Sequence, residues 1–487
     1  MAKFSKSRRG FLRDALLWTG SLSVGKTLTG CATLGPKEQR LRKPNVVFLL
    51  ADQWRAQATG YSGDPNAVTP ALDALAKKSV NLTNAVSGCP VCCPYRASLM
   101  TGQYPLTHGV FMNDVQLETT ALSMAEVYKS AGYDTAYIGK WHLDGHGRSS
   151  FIPKERRQGF EYWKAMECTH DYNNSHYYAD DDVKLKWEGY DAIAQTQDAC
   201  QYITDHATGK PFLLFLSWGP PHSPYGTAPQ KYKNLFKDRK LSLRPNVPAD
   251  RRERAQRDLA GYYAHIAALD DCVKKIIDTL AQCDLEKDTI LVFTSDHGDM
   301  LHSQGERKKQ RPWDESVKVP FLLRYPAVLA DKTRRIDMPF NTPDIMPTLL
   351  GLSSIGLPKT VEGCDFSDVI KSASRGHNEA ALIMCPAPFG QWQRKKHGGR
   401  EYRGIRTRRY TYVRDLKGPW LLYDNAEDPY QLKNLCNNSE KAELQRELDK
   451  VLAQKLEQTK DEFLPAGQYI KKWSYTVDET GTVPYTN

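Results

Sequence analysis

Four short apolar runs, set far apart in a chain of 487 residues, constrain the fold most: Asn45–Leu50, Asp134–Ile138, Pro211–Trp218 and Thr289–Phe293. The first reads NVVFLL, a continuous apolar stretch with no polar alternation. A strand reads that way when both of its faces are covered, as in a parallel sheet. Between the runs lie helical patterns. Gly261–Leu280 sets Leu269, Val273, Ile276, Ile277 and Leu280 on one face. Thr69–Ala76 reads as a helix with Thr69 as N-cap and Pro70 in its first turn. With 40% hydrophobic residues the chain can bury a large core. The expected fold class is α/β: a large, mostly parallel sheet sandwiched by helices, with a small C-terminal α+β subdomain.

Ionisable residues follow each run at once. Asp52-Gln53 follows the first, Gly139-Lys140-Trp141-His142 the second, Pro221-His222 the third and Ser295-Asp296-His297-Gly298-Asp299 the fourth. In open α/β sheets a ligand binds beyond the carboxyl ends of the strands. Asp52, Lys140, His142, His222, Asp296 and His297 should therefore converge. One histidine after one strand is ordinarily structural; repetition at every strand end points to a site.

A further stretch, Cys89-Pro-Val-Cys92-Cys93-Pro94-Tyr95-Arg96-Ala-Ser98-Leu-Met-Thr101-Gly102, runs into a helical segment. Cys92 falls at or just before the helix N-terminus, with Pro94 in the first turn. Free N–H groups and a partial positive charge there suit an anion. The cysteines of this stretch lack the spacing of a structural zinc site. Eleven cysteines scattered over a long chain make no disulfide framework, though one or two bridges are compatible with them.

The ends of the chain read differently. Ser7-Arg8-Arg9-Gly10-Phe11-Leu12 is a twin-arginine export pattern, followed by a stretch too broken by Gly, Ser and Lys to span a bilayer. Leu28-Thr29-Gly30-Cys31 resembles a lipobox, which makes Cys31 a site of lipidation and membrane anchoring; a simple cleaved signal is the alternative. Residues 1–31 are thus read as a signal and 32–43 as a linker. Residues 44–375 are read as the main α/β domain and 376–487 as the subdomain, with strands at Ala380–Met384, Tyr402–Arg406, Tyr410–Val413 and Trp420–Tyr423 and a helix over Glu440–Thr459. Export places the protein in the periplasm or cell envelope. A net charge of +10 suits anionic partners. Its densest basic run, Gln393–Arg400, reads as a solvated loop, so no nucleic acid is expected.

Taken together, Cys92-x-Pro94-x-Arg96 with Leu99 and Thr101-Gly102, Gly139–His142, Pro221-His222, Ser295–Gly298, and the C-terminal Leu422-Tyr423-Asp424, Asp428-Pro429 and Asn434-Leu435 resemble the type I sulfatases of the alkaline phosphatase superfamily. That resemblance implies a sulfuric ester hydrolase in which a maturing enzyme oxidises Cys92 to formylglycine. The hydrated aldehyde attacks sulfur and then releases sulfate. It implies a metal site of Asp52, Gln53, Asp296, His297 and the modified Cys92. These ligands, mostly oxygen, suit Ca²⁺ first and Mg²⁺ second. It assigns Arg96 and Lys140 to the formylglycine region, and Lys140, Lys309 and His222 to the sulfate. Lys308 is an alternative to Lys309. His142 or His222 serves as acid for the leaving alkoxide, with His222 favoured. Gln53 stands where relatives carry a second Asp.

A sulfated mono-, oligo- or polysaccharide is the expected substrate. Its selectivity would come from Glu167–Tyr178, with His170 and His176, and from Phe389–Trp392 and Arg394–Arg403. Two rivals stand beside this reading: a formylglycine-dependent phosphonate or phosphodiester hydrolase, and an inactive lipoprotein that binds sulfated glycans.

Overall fold

The four apolar runs become four adjacent strands of one sheet. The structure is a computed structural model and describes residues 42–372, 379–392 and 398–484. The twin-arginine pattern, Cys31, most of the linker, the 375/376 boundary and Arg394–His397 lie outside the described residues. In chain order the sheet contains β1 (Asn45–Asp52), β2 (Val80–Leu82), β3 (Asp134–Lys140), β4 (Tyr162–Met166), β5 (Phe212–Pro221), β6 (Thr289–Ser295), β7 (Phe321–Arg324) and β8 (Arg334–Ile336). Their spatial order is β8-β2-β7-β6-β1-β5-β3-β4. β1 pairs in parallel with β5 and β6, and β3 in parallel with β4 and β5. β7 is antiparallel to both of its neighbours, so the sheet is mixed but mostly parallel at its centre.

The unbroken apolar reading of β1 has a simple cause. Val46, Phe48 and Leu50 join the core on one face, and Val47, Leu49 and Ala51 the core on the other. Both sets are fully buried, so neither face tolerates a polar residue. The helices Asp191–Asp205 and Arg252–Gln282 cover one face, while Cys92–Thr101 and Ile345–Leu352 lie on the other.

Two local expectations change. The long helix starts at Arg252 rather than Gly261; its first turns are charged and largely exposed, with only Ala255 and Leu259 buried, so the apolar signal there is thin. Thr69 stands at the N-cap position of the helix Pro70–Ala76 but makes no side-chain cap. Its hydroxyl accepts from Gly60 N–H and donates to Asp73 instead. Asp270, on the long helix, takes the cap, accepting from Ala71 N–H at 2.9 Å and Leu72 N–H at 2.8 Å.

A second, antiparallel sheet follows: β9 (Ala380–Cys385), β10 (Tyr402–Thr407), β11 (Tyr410–Asp415) and β12 (Gly418–Asp424). The helix Ala442–Gln458 buries Leu448 and Leu452. From residue 42 onward the chain packs as one compact unit. Met384 N–H donates to Gly88 O at 2.7 Å and Asn84 Nδ2 to Thr407 O at 3.0 Å, which ties the second sheet to the segment before the Cys92 helix. The ten described cysteines are all free.

One buried ion pair anchors the C-terminal segment. Arg403 on β10 donates through Nε and Nη2 to Asp461, and Tyr469 OH donates to the same carboxylate at 2.8 Å. Burial alone would raise the Asp461 carboxyl, but Arg403 and its hydrogen bonds hold it below the usual range. Its stabilisation is therefore complete above the ordinary aspartate range and declines as pH falls through its depressed folded value. Asp461→Asn should cost about 3 kcal/mol in urea denaturation at neutral pH, since it leaves Arg403 buried without its counter-charge. The difference from wild type should shrink on acidification; a pH-independent difference would contradict this account.

Candidate active site

The carboxyl ends of the parallel strands and one helix N-terminus meet around Cys92. Asp52 ends β1, Lys140 ends β3, His222 follows β5, and Asp296 and His297 follow β6. Cys92 is the first residue of the helix Cys92–Thr101. All six side chains are buried. Cys92 Sγ lies 2.8 Å from Lys309 Nζ, 3.3 Å from His297 Nε2, 3.9 Å from Lys140 Nζ, and 3.7 and 3.8 Å from the two Asp52 oxygens. Burial and Asp52 raise the thiol pKa, but Lys140, Lys309 and His297 together carry it well below the ordinary range. A helix N-terminus adds to the same effect.

Arg96, one turn along that helix, locks the carboxylates to the strands. Its Nη1 donates to Lys140 O and Ser217 Oγ, both at 2.8 Å. Its Nη2 donates to Asp296 Oδ2 at 3.2 Å and lies 3.7 Å from Asp52 Oδ2. The strands that Arg96 joins approach closely at a glycine. Gly139 has φ +105°, and a Cβ there would lie 2.1 Å from Ser217 O.

The two carboxylates differ. Burial would raise Asp52, but Lys140, whose Nζ is 2.6 Å away, and the cations and histidines beyond it hold it well down. Burial and the neighbouring Asp52 raise Asp296. One oxygen each from Asp52 and Asp296, Cys92 Sγ and a His297 ring nitrogen lie within 4.8 Å of one another. His297 Nδ1 donates to Gly298 O at 2.9 Å, which leaves the Nε2 lone pair facing the group. Gln53 completes it. Its N–H donates to Asp296 Oδ1 and its Nε2 to Asp299 Oδ2 at 2.7 Å, while its Oε1 is buried with no hydrogen-bond partner. An orphaned buried acceptor beside two carboxylates is a donor set for a cation, and predominantly oxygen donors favour a hard divalent ion.

Comparison with known proteins agrees with this geometry. The sulfatase family model matches residues 44–355, and the model of the N-sulphoglucosamine sulphohydrolase C-terminal region matches 305–458. The ulvan-active sulfatase of Formosa agariphila is 48% identical, over 91% of this chain and 87% of its own. The endo-4-O-sulfatase of Bacteroides thetaiotaomicron is 32% identical, over 83% of this chain and 90% of its own. A solved structure from work on glycosaminoglycan metabolism in the same bacterium superposes with a TM-score of 0.78 at 30% identity, covering 88% of this chain and 99% of that one. The chain belongs to the sulfatase family. It is a sulfatase of the alkaline phosphatase superfamily.

Within this sulfatase the adjacent lysines separate. Lys309 Nζ meets Cys92 Sγ, His297 Nε2 at 3.2 Å and His222 Nε2 at 3.3 Å. Lys308 instead lines a cavity of ≈ 440 Å³ together with His222 and His170. The ring of His170 stacks on that of His222 at 4.4 Å. His222 Nδ1 donates to Ser223 O at 2.8 Å, so its Nε2 faces Lys309. Burial and Lys309 push His222 well below its ordinary pKa, toward the neutral form.

His142 has a different neighbourhood. With φ +59° it turns Nε2 onto Asp114 Oδ1 at 2.8 Å, and it groups with Cys93 and Asp114 in a second buried cluster. His176 packs against the Tyr178 ring, and Trp392 is buried beneath Arg311, whose guanidinium lies 4.4 Å from the ring centroid. Gln391 does line the cavity.

Four site residues escape the sequence reading. Ser217 and Tyr137 hold Arg96, Asp299 orients the Gln53 amide, and Asp114 holds His142. Only Asp299 carried a signal, as the last residue of the motif after β6. Arg96→Lys keeps one charge but cannot span Lys140 O, Ser217 and Asp296 together. It should lower aryl sulfate turnover by about 100-fold or more while costing roughly 2 kcal/mol of stability. Near-wild-type turnover in steady-state kinetics would refute this spanning role.

Proposed function

We propose that this sulfatase removes sulfate from a sulfated carbohydrate, with formylglycine made from Cys92 as nucleophile and one divalent cation, calcium ahead of magnesium, held by Asp52, Gln53, Asp296, His297 and the modified Cys92. The observation that carries the proposal is the placement of Cys92 between a carboxylate group on one side and Lys309 with His222 on the other. The hydrated aldehyde would supply an oxygen nucleophile whose second hydroxyl releases sulfate, and the cation would acidify that nucleophile and polarise the ester.

The remaining steps fall to this chain's own side chains. Lys309 and Lys140 present ammonium groups to the sulfate oxygens and limit charge build-up in a site with little water. Arg96 holds Asp52, Asp296 and the end of β3 in register. His222 presents Nε2 toward the position of the bridging oxygen. In the resting site burial and Lys309 keep it neutral; an anionic ester between them favours its protonation, which readies it to donate to the leaving alkoxide.

The relatives' names support a carbohydrate substrate: one is called ulvan-active and another an endo-4-O-sulfatase. The burial of Cys92, 1% exposed, supports conversion by a maturing enzyme before folding. The twin-arginine pattern supports export of the folded product to the periplasm or envelope, with Cys31 as the lipidated anchor. Among the described residues no helix is long and apolar enough to cross a membrane.

The test is made on protein co-produced with a maturing enzyme. The peptide bearing Cys92 should lose one sulfur and two hydrogens and gain one oxygen by mass. A screen of sulfated mono- and oligosaccharides should yield free sulfate, and Cys92→Ala should yield none. Full turnover by an unconverted thiol would overturn the mechanism. His222→Ala should slow alkyl and sugar sulfates by about 100-fold or more but activated aryl sulfates far less, because a good leaving group needs no proton. Equal losses on both classes would remove His222 as the acid.

A further inference from the structure

Lys308 and Lys309 are neighbours in sequence, yet only Lys309 reaches the reacting centre. The backbone of Lys308 is pinned in an unusual conformation. Its φ is +59°, its N–H donates to Asp299 Oδ1 at 3.0 Å, and its carbonyl accepts from Met300 N–H at 2.9 Å. Asp299 is the same carboxylate that orients Gln53. The turn is therefore tied to the candidate metal site and delivers Lys309 to Cys92 while Lys308 joins the wall of the adjoining cavity.

That wall has an unbalanced charge. Arg307 lies 3.9 Å from Asp258, and His302 Nε2 meets the same carboxylate at 2.8 Å. Arg311 is paired with Glu306 at 2.9 Å. Among the described residues the Lys308 ammonium has no carboxylate within salt-bridge reach and no side-chain hydrogen bond. It is nonetheless partly buried, and burial together with Lys309 presses its pKa below that of an ordinary lysine, although the nearby Asp299 carboxylate opposes them. A half-buried ammonium beside a second lysine, with no carboxylate paired to it, is relieved by an anion.

The cavity also fixes which part of a substrate comes near. His222 belongs both to the sulfate position and to the cavity wall, so the alcohol side of the ester must leave the centre along the wall that carries Lys308. At ≈ 440 Å³ the space lies within the range of small-ligand sites.

We infer that Lys308 is a specificity-determining residue: it binds a second anionic group, a carboxylate or a further sulfate, on the sugar that carries the scissile ester or on the sugar next to it. This inference rests on the carbohydrate sulfatase reading above and names the class of carbohydrate, a polyanionic one.

The test compares wild type with Lys308→Gln and Lys308→Arg, each confirmed by mass to carry the converted Cys92. The substrates are a neutral aryl sulfate, a sulfated oligosaccharide containing a uronate, the same oligosaccharide with its carboxyl reduced to the alcohol, and a disulfated sugar. Lys308→Gln should lower kcat/KM on a charged substrate relative to the aryl sulfate by about 10- to 100-fold, mainly through KM. Lys308→Arg should restore most of that ratio. A loss that disappears when the carboxyl is reduced identifies a uronate; a loss confined to the disulfated sugar identifies a second sulfate. Equal losses on neutral and charged substrates, or none, would overturn the inference alone, provided that wild type cleaves the carbohydrates. A wild type active on aryl sulfate but inert on every carbohydrate would remove the carbohydrate reading and this inference with it.

Discussion

Asp52 and Asp296 are fully buried at the ends of the neighbouring parallel strands β1 and β6, and like charges so placed repel in a medium that screens them poorly. The groups around them answer that repulsion. Lys140 draws Asp52 into the ionised form, while Gln53 N–H and His297 N–H both donate to Asp296 Oδ1. Arg96 contacts both carboxylates from the side of the Cys92 helix. The result is a divided site. One side offers oxygen and nitrogen donors to a cation, and the other offers Lys309, Lys140 and His222 to an anion. Cys92 stands on the boundary, which is where a nucleophile must stand if metal and sulfate are to act on it together.

This arrangement is legible in the sequence to the extent that the strands position it. β1, β5 and β6 hold no ionisable residue before their carboxyl ends because both faces are buried, so the first ionisable residue at or after each end marks the edge of the sheet. That logic brings Asp52, His222, Asp296 and His297 together without any contact information. The supporting groups follow no such pattern. Ser217 lies inside β5 and reads as part of its apolar run, yet its hydroxyl holds Arg96. Asp270 caps a helix about 200 residues earlier in the chain, where local spacing had pointed to Thr69. Asp114 sits in an irregular segment with no periodicity at all. Each is fixed by tertiary approach, which spacing along the chain does not encode.

The burial of Cys92 also orders events in time. The folded chain holds Cys92 1% exposed, its sulfur ringed by Asp52, His297, Lys140 and Lys309. An enzyme cannot reach a side chain so enclosed without opening the core at the end of β1. Under the proposed reading, conversion therefore precedes folding. The proposed twin-arginine export, a route that accepts folded protein, is consistent with a cysteine modified before translocation.

The lysine pair shows how one turn can serve two tasks. The positive φ of Lys308 breaks the simple alternation of side chains, and Asp299 anchors both this turn and the Gln53 amide. Chemistry and selectivity are thus coupled through one carboxylate. A change at Lys308 alters only what meets the leaving group. A change at Asp299 would loosen the candidate metal ligand and shift Lys309 as well. Strand ends therefore constrain the reaction, because Lys140, Gln53 and His297 there answer the buried carboxylates. Loop side chains such as Lys308 answer only the substrate, and they are the positions at which a common fold can acquire different sulfated targets.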